Sequence, residues 1–96
     1  MNPESVLRRK KNAIQEICRR HGATNIRIFG SVARHTAGET SDIDFLVDLE
    51  PGRTLFDLGG LVYDLEKLLG RRVDVATPGL LRARIRDRII EEAVPL

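Results

Sequence analysis

Phe29-Gly30-Ser31-Val32-Ala33-Arg34, followed by Ser41-Asp42-Ile43-Asp44-Phe45-Leu46-Val47, sets the architecture of this 96-residue chain. In the second segment acidic and apolar residues alternate. The period is that of a strand with Asp42 and Asp44 on one side and Ile43, Phe45 and Val47 on the other. The first segment is a glycine–serine turn feeding a short helix, which offers free backbone N–H groups, a hydroxyl and the positive end of a helix dipole. If Gly30, Ser31 and Asp42 serve one site, the end of the first strand lies beside the start of the second, so the two run antiparallel. An anion cradle beside paired carboxylates is what a divalent cation and a triphosphate jointly require. The stretch predicts a nucleotide-handling site.

Outward from that centre, the order reads αβαβαβα. Pro3-Glu4-Ser5 starts a helix over 3–21, closed by Gly22, with Leu7, Ile14, Ile17 and Cys18 near helical spacing. A strand over 25–29, a short helix over 31–36, a loop over 37–40 and a strand over 42–49 follow. Leu55, Leu58, Leu61, Val62, Leu65, Leu68 and Leu69 then mark an amphipathic helix ended by Gly70. It is long enough for a crossover, so the next strand, 72–76, is expected parallel to 42–49. A final helix over 80–93 carries Leu81, Ile85 and Ile89 on one face. The expected fold class is α+β, a small mixed β-sheet with helices packed on one face.

Composition sets the outer bounds. Ninety-six residues allow one domain, and 4% aromatic content leaves the core to Leu, Ile and Val. A net charge of +2 is too small to point to nucleic acid as a direct partner. The sequence contains no apolar run of membrane-spanning length, and with no signal-peptide h-region at Met1-Asn2-Pro3-Glu4 a secretory leader is not expected. With Cys18 as the single cysteine, a cytoplasmic location is the expectation, and membrane partners are not.

A third carboxylate completes the pattern. Val73-Asp74-Val75 places an acid between valines on the third strand, and a parallel neighbour to 42–49 would project Asp74 to the side of Asp42 and Asp44. Three carboxylates on one face repel one another unless cations lie between them. An all-oxygen donor set favours Mg²⁺, or Mn²⁺, over zinc. Two such ions about 4 Å apart can hold a triphosphate and an attacking oxygen in line. In that arrangement Asp42 and Asp44 bridge the ions, while Asp74 binds the one that activates the acceptor hydroxyl and takes its proton.

Gly30-Ser31, ten residues, Asp42-x-Asp44 and a later strand Asp74 resemble the signature of the polymerase-β-type nucleotidyltransferase superfamily. The wording Gly30-Ser31-Val32-Ala33-Arg34 with Ser41 to Val47, and the closing Glu91-Glu92-Ala93-Val94-Pro95-Leu96, look like its minimal nucleotidyltransferases, the MNT-domain or MntA-like antitoxins. The resemblance implies a single minimal nucleotidyltransferase domain over 1–96. It also implies transfer of AMP from ATP to a tyrosine of a nearby-encoded, all-helical HEPN-type ribonuclease toxin. Carried over by motif, Gly30 and Ser31 hold the β/γ-phosphates and Asp42, Asp44 and Asp74 ligate Mg²⁺. Large relatives add a domain that grips the base, for which this chain has no room. A partner or second copy is expected to supply that part, in a homo- or hetero-oligomer. His35 stands where many relatives have glycine after the arginine, and Gly38 is expected to restore the loop's freedom.

Each of these residues also has a plainer role. Ser31 could be a helix N-cap and nothing more, and Arg34 either a phosphate ligand or a surface arginine. Asp48 is read as solvated, Cys18 as packing, and His21 and His35 as helix-end and loop residues. Arg82, Arg84, Arg86 and Arg88 are read as a solvated face with i,i+4 pairs such as Arg88–Glu92; contact with ATP phosphates or an acidic partner is a further reading. If the Leu55–Leu69 stripe is wider than a sheet face can cover, the surplus becomes a protein-binding surface. The alternative to an enzyme is therefore a non-catalytic module that neutralises its partner by binding it.

Overall fold

The computed structural model describes residues 2–96. Asn2 opens the first helix by accepting the Ser5 N–H at 2.8 Å, with Pro3 at the first position, where a missing N–H is harmless. The expected 3–21 helix is two segments, α1 (Pro3–Arg9) and α2 (Lys11–Arg20), broken at Lys10 with φ −108° and ψ 15°. Backbone bonds from Lys10 to Val6 and from Ile14 to Lys10 carry the chain through the bend. Both segments bury apolar residues, Val6 and Leu7 from α1 and Ile14, Ile17 and Cys18 from α2.

Strand β1 (Ala23–Phe29) pairs antiparallel with β2 (Ile43–Leu49), and β2 pairs parallel with β3 (Val73–Ala76), as the placement of the site required. Between β1 and β2 lies α3 (Gly30–Ala33), shorter than the predicted 31–36 helix. The crossover between β2 and β3 is α4 (Leu55–Leu69). Its start is fixed by a reciprocal capping box between Thr54 and Asp57, and its end by Gly70 at φ +67°, the left-handed geometry glycine adopts without a Cβ clash. The predicted 80–93 helix begins later. Pro78–Leu80 is a turn of 3₁₀ helix, and α5 spans Ala83–Glu92. Arg86 Nη2 donates to the Leu81 carbonyl at 2.9 Å, tying α5 to the segment before it.

A fourth strand, β4 (Val94–Pro95), was not expected from sequence. It pairs antiparallel with β1 and gives the order β3-β2-β1-β4. Two residues, one a proline, carry no readable alternation. The Leu96 N–H also donates to the Ile26 carbonyl at 3.0 Å. At the opposite edge, the Val73 N–H donates to Glu66 Oε2 on α4 at 3.1 Å.

The core is the apolar face of β2, with Ile43, Phe45 and Val47 fully buried against Ile14, Cys18, Leu61 and Leu65. Leu46 points to the other face and is also fully buried, outside that cluster, where the Pro78–Leu80 turn packs on β2. Asp48 is not simply solvated. Strand β1 bulges at Asn25, which adopts φ 50°, and the register shift brings Arg27 Nη2 and Asn25 Nδ2 each to 3.0 Å from the Asp48 carboxylate. Cys18 is packing, as its spacing indicated, and burial pushes its thiol up to about 11.

Phe45 is the largest fully buried side chain. Phe45→Ala should lower unfolding free energy by about 3–5 kcal/mol, read as a fall in the urea midpoint at unchanged slope.

Candidate active site

The Gly30 turn sits where β1 gives way to α3. Gly30 is buried at φ +72°, and a Cβ built on it would overlap the Asp44 carboxylate, with Asp44 Cγ only 3.0 Å away. Any side chain here would be strained and would displace the acid. Glycine at this position is what lets the backbone and the carboxylate share one space.

Ser31 is not the N-cap. Phe29 holds that position without a side-chain cap bond, so capping does not consume the Ser31 hydroxyl. With only four residues, α3 carries little of a macrodipole. Its first N–H groups lack intrahelical partners.

The three aspartates lie where β2 and β3 begin. Asp44 and Asp74 are register partners across the parallel pair, and their carboxyl groups are hydrogen-bonded to each other. Asp42 immediately precedes β2 and is close enough to act on Asp44 through its charge. Asp74 is exposed at the sheet edge, while Asp42 and Asp44 are half-buried. Burial first, then the charge of Asp74 and the shared hydrogen bond, then Asp42, push the Asp44 carboxyl up to about 6. The Arg34 guanidinium pulls the other way. Among the described residues no three His, Cys, Asp or Glu side chains form a ready-made metal cage.

Arg34, the other residue singled out beside the turn, is held by Glu92 of α5, with Nη1 2.6 Å from Oε1. The i,i+4 reading of Arg88 with Glu92 is thereby corrected, because the carboxylate is engaged by Arg34 across the α3–α5 contact. His35 takes the left-handed conformation itself, at φ 61°, with Nδ1 2.8 Å from Glu4 Oε1. The tight turn therefore falls at His35, and Gly38, which has no positive φ, does not supply it. His21 ends α2 and contacts Asp64 at 2.7 Å, a helix-end role.

A pocket of about 230 Å³ opens beside the Gly30 turn, lined by Phe29, Gly30, Arg34, Ile85, Arg88, Ile89 and Glu92. Its contribution was not read from sequence, because no local pattern says which face of α5 meets α3. A larger cavity of about 340 Å³ lies between α1, α3 and β4 and contains none of the aspartates.

Residues 10–96 match the family described as nucleotidyltransferase domain. The chain is similar to a Methanocaldococcus jannaschii relative assigned as a protein adenylyltransferase, 46% identical over 84 residues covering 88% of this chain and 90% of the relative. It is also similar to the protein adenylyltransferase MntA of Thermococcus cleftensis, 38% identical over 91 residues, 95% of this chain and 89% of that one. A solved structure described as a minimal nucleotidyltransferase superposes with TM-score 0.87 at 48% identity, over 100% of this chain and 97% of the other. The fold is shared with a toxin–antitoxin crystal structure containing AMP-PNP, at TM-score 0.75 and 21% identity, over 88% of this chain and 70% of that chain.

The Asp44 carboxyl, raised in the folded state, contributes stability that is complete below the unfolded value of 3.8 and lost as pH rises through about 6. Without divalent cations, Asp44→Asn should therefore gain on the parent protein between pH 4 and pH 7, by about 1–2 kcal/mol after allowing for solvent screening. Parallel urea titrations across that range check it. Gly30→Ala should cost at least about 1–2 kcal/mol from backbone strain alone, visible in the same titrations.

Proposed function

The chain belongs to the nucleotidyltransferase domain family, and from that premise we propose that it transfers AMP from ATP to a hydroxyl of a partner protein. In this reading the protein is the antitoxin of a toxin–antitoxin pair. Its acceptor is a tyrosine of an HEPN-type toxin encoded nearby, and it works in the cytoplasm as part of a hetero-oligomer. The observation that carries the reading is the hydrogen-bonded Asp44–Asp74 pair pressed against the Gly30 turn. Carboxylates are crowded there at an energetic cost that a bound cation would relieve. No helix among the described residues is long and apolar enough to cross a membrane.

The chemistry of the donors suits Mg²⁺, since they are carboxylates with no sulfur or imidazole, and one of them is raised by burial and by its like-charged neighbours. The three are not gathered into a cage before an ion arrives. When bound, the ion would offset charge on the carboxylates and the triphosphate and make the acceptor hydroxyl more acidic. Asp42, Asp44 and Asp74 would hold it.

The remaining work belongs to the chain itself. Backbone N–H groups at Gly30 and Ser31, the Ser31 hydroxyl and Arg34 would hold the β- and γ-phosphates, fixing the α-phosphorus near Asp44. The acceptor oxygen forms its bond to that phosphorus as the bond to the bridging β-phosphate oxygen breaks, and pyrophosphate leaves. Asp74, exposed at the sheet edge, is reached by an incoming hydroxyl and accepts its proton. The relatives named protein adenylyltransferases support this choice of reaction.

A second reading, neutralisation by binding alone, is favoured by α4. Leu55, Phe56 and Tyr63 are left out of the core at 69%, 92% and 61% exposure, so the apolar stripe exceeds what the sheet covers.

With α-labelled ATP, Mg²⁺ and the neighbour-encoded protein, label should pass to a tyrosine of that protein. Asp42→Asn/Asp44→Asn or chelation should reduce the rate by roughly 100-fold or more. Full protection of cells by the double variant would favour the binding reading, and labelling undiminished by the substitutions would overturn the enzymatic one.

A further inference from the structure

Helix α5 is an odd wall for a folded protein. None of its residues is buried, yet it stands against α3 beside the Gly30 turn and closes one side of the 230 Å³ pocket. Two guanidinium groups, Arg34 and Arg88, line that pocket, and they are not electrostatically equal. Arg34 is already engaged by Glu92 at 2.6 Å, which offsets much of its charge. Arg88 lies one helical turn before Glu92, and its side chain makes no hydrogen bond or ion pair with the described residues. An uncompensated cation therefore faces a concavity that shares Gly30 with the carboxylate cluster. Apolar walls from Phe29, Ile85 and Ile89 lower the local dielectric and strengthen its pull on an anion.

We propose that Arg88 is a phosphate-binding residue, and that the pocket between the Gly30 turn and α5 receives the terminal phosphates of the nucleoside triphosphate and, after transfer, pyrophosphate. The proposal rests on the nucleotidyltransferase reading above and adds a ligand from outside its sequence motif. Glu92 has the positioning role. It ties Arg34 to α5, so that the guanidinium groups of α3 and α5 frame the same space. The Glu92 carboxylate itself opposes an anion, which is why the pocket needs the second arginine. A base in the pocket would use its apolar walls, but two guanidinium groups around a glycine turn match a polyanion better.

The full-length protein is titrated with ATP, AMP and inorganic pyrophosphate by calorimetry in Mg²⁺, as the parent, Arg88→Ala, Arg88→Lys and Arg84→Ala. Arg84 is a charge-matched control on the same helix and does not line the pocket. Arg88→Ala should weaken ATP and pyrophosphate about 10- to 100-fold while AMP affinity stays the same, with partial recovery in Arg88→Lys and no change in Arg84→Ala. Unchanged ATP affinity in Arg88→Ala, or an equal loss for AMP, would overturn this assignment and leave the family reaction standing. Failure of the parent protein to bind ATP at all would overturn both.

Discussion

Two acids on adjacent parallel strands, Asp44 and Asp74, are placed opposite each other with a glycine backbone against one of them. Much of the rest follows from that crowding. The parallel β2–β3 pair requires a crossover, and α4 provides it on the face where Ile43, Phe45 and Val47 need covering. The antiparallel β1–β2 pair brings the Gly30 turn to the start of β2, and only glycine tolerates both the φ of +72° and the carboxylate beside it. The core is thus arranged so that a repulsive cluster cannot spread apart when it ionises. Stability won from apolar burial is spent on holding charges together.

The second structural theme is the division of labour between the two faces of the sheet. One face is a continuous apolar core with α1, α2 and α4. The other is lightly covered: Leu46 lies beneath the Pro78–Leu80 turn, and α5 rests beside α3 with no buried residue of its own. Such an arrangement keeps that side accessible and leaves α5 held by a few polar ties, among them Arg34–Glu92 and Arg86 to the Leu81 carbonyl. Segments with few buried apolar contacts open most readily, which suits the wall of the pocket proposed above for phosphates.

Most of this architecture was legible from residue patterns. Alternation from Asp42 to Leu49 specified β2 and its faces, and the Leu stripe with Gly70 specified α4. The requirement that Gly30 meet Asp42 specified the antiparallel pair. What escaped was what depends on distant partners. Lys10 breaks the first helix although its local composition is helical, and β4 exists because β1 offers an edge. Glu92 pairs with Arg34 across 58 positions, whereas sequence reasoning sees only the neighbour four residues away. His35 illustrates a different gap. Its left-handed φ of 61° is uncommon for a side chain that is not glycine, so a nearby glycine looked the better candidate. Within the site, motif spacing located the acids and the turn, but the pocket wall came from tertiary packing alone.

The rims of the sheet carry one last consequence. On one side β4 is two residues long and includes Pro95, which has no N–H to offer a newcomer; on the other, Glu66 occupies the outward N–H of Val73. Both features make the borders poorer templates for strand addition. Main-chain pairing is thereby disfavoured at these two positions, and side-chain shape weighs more in what the molecule can meet there.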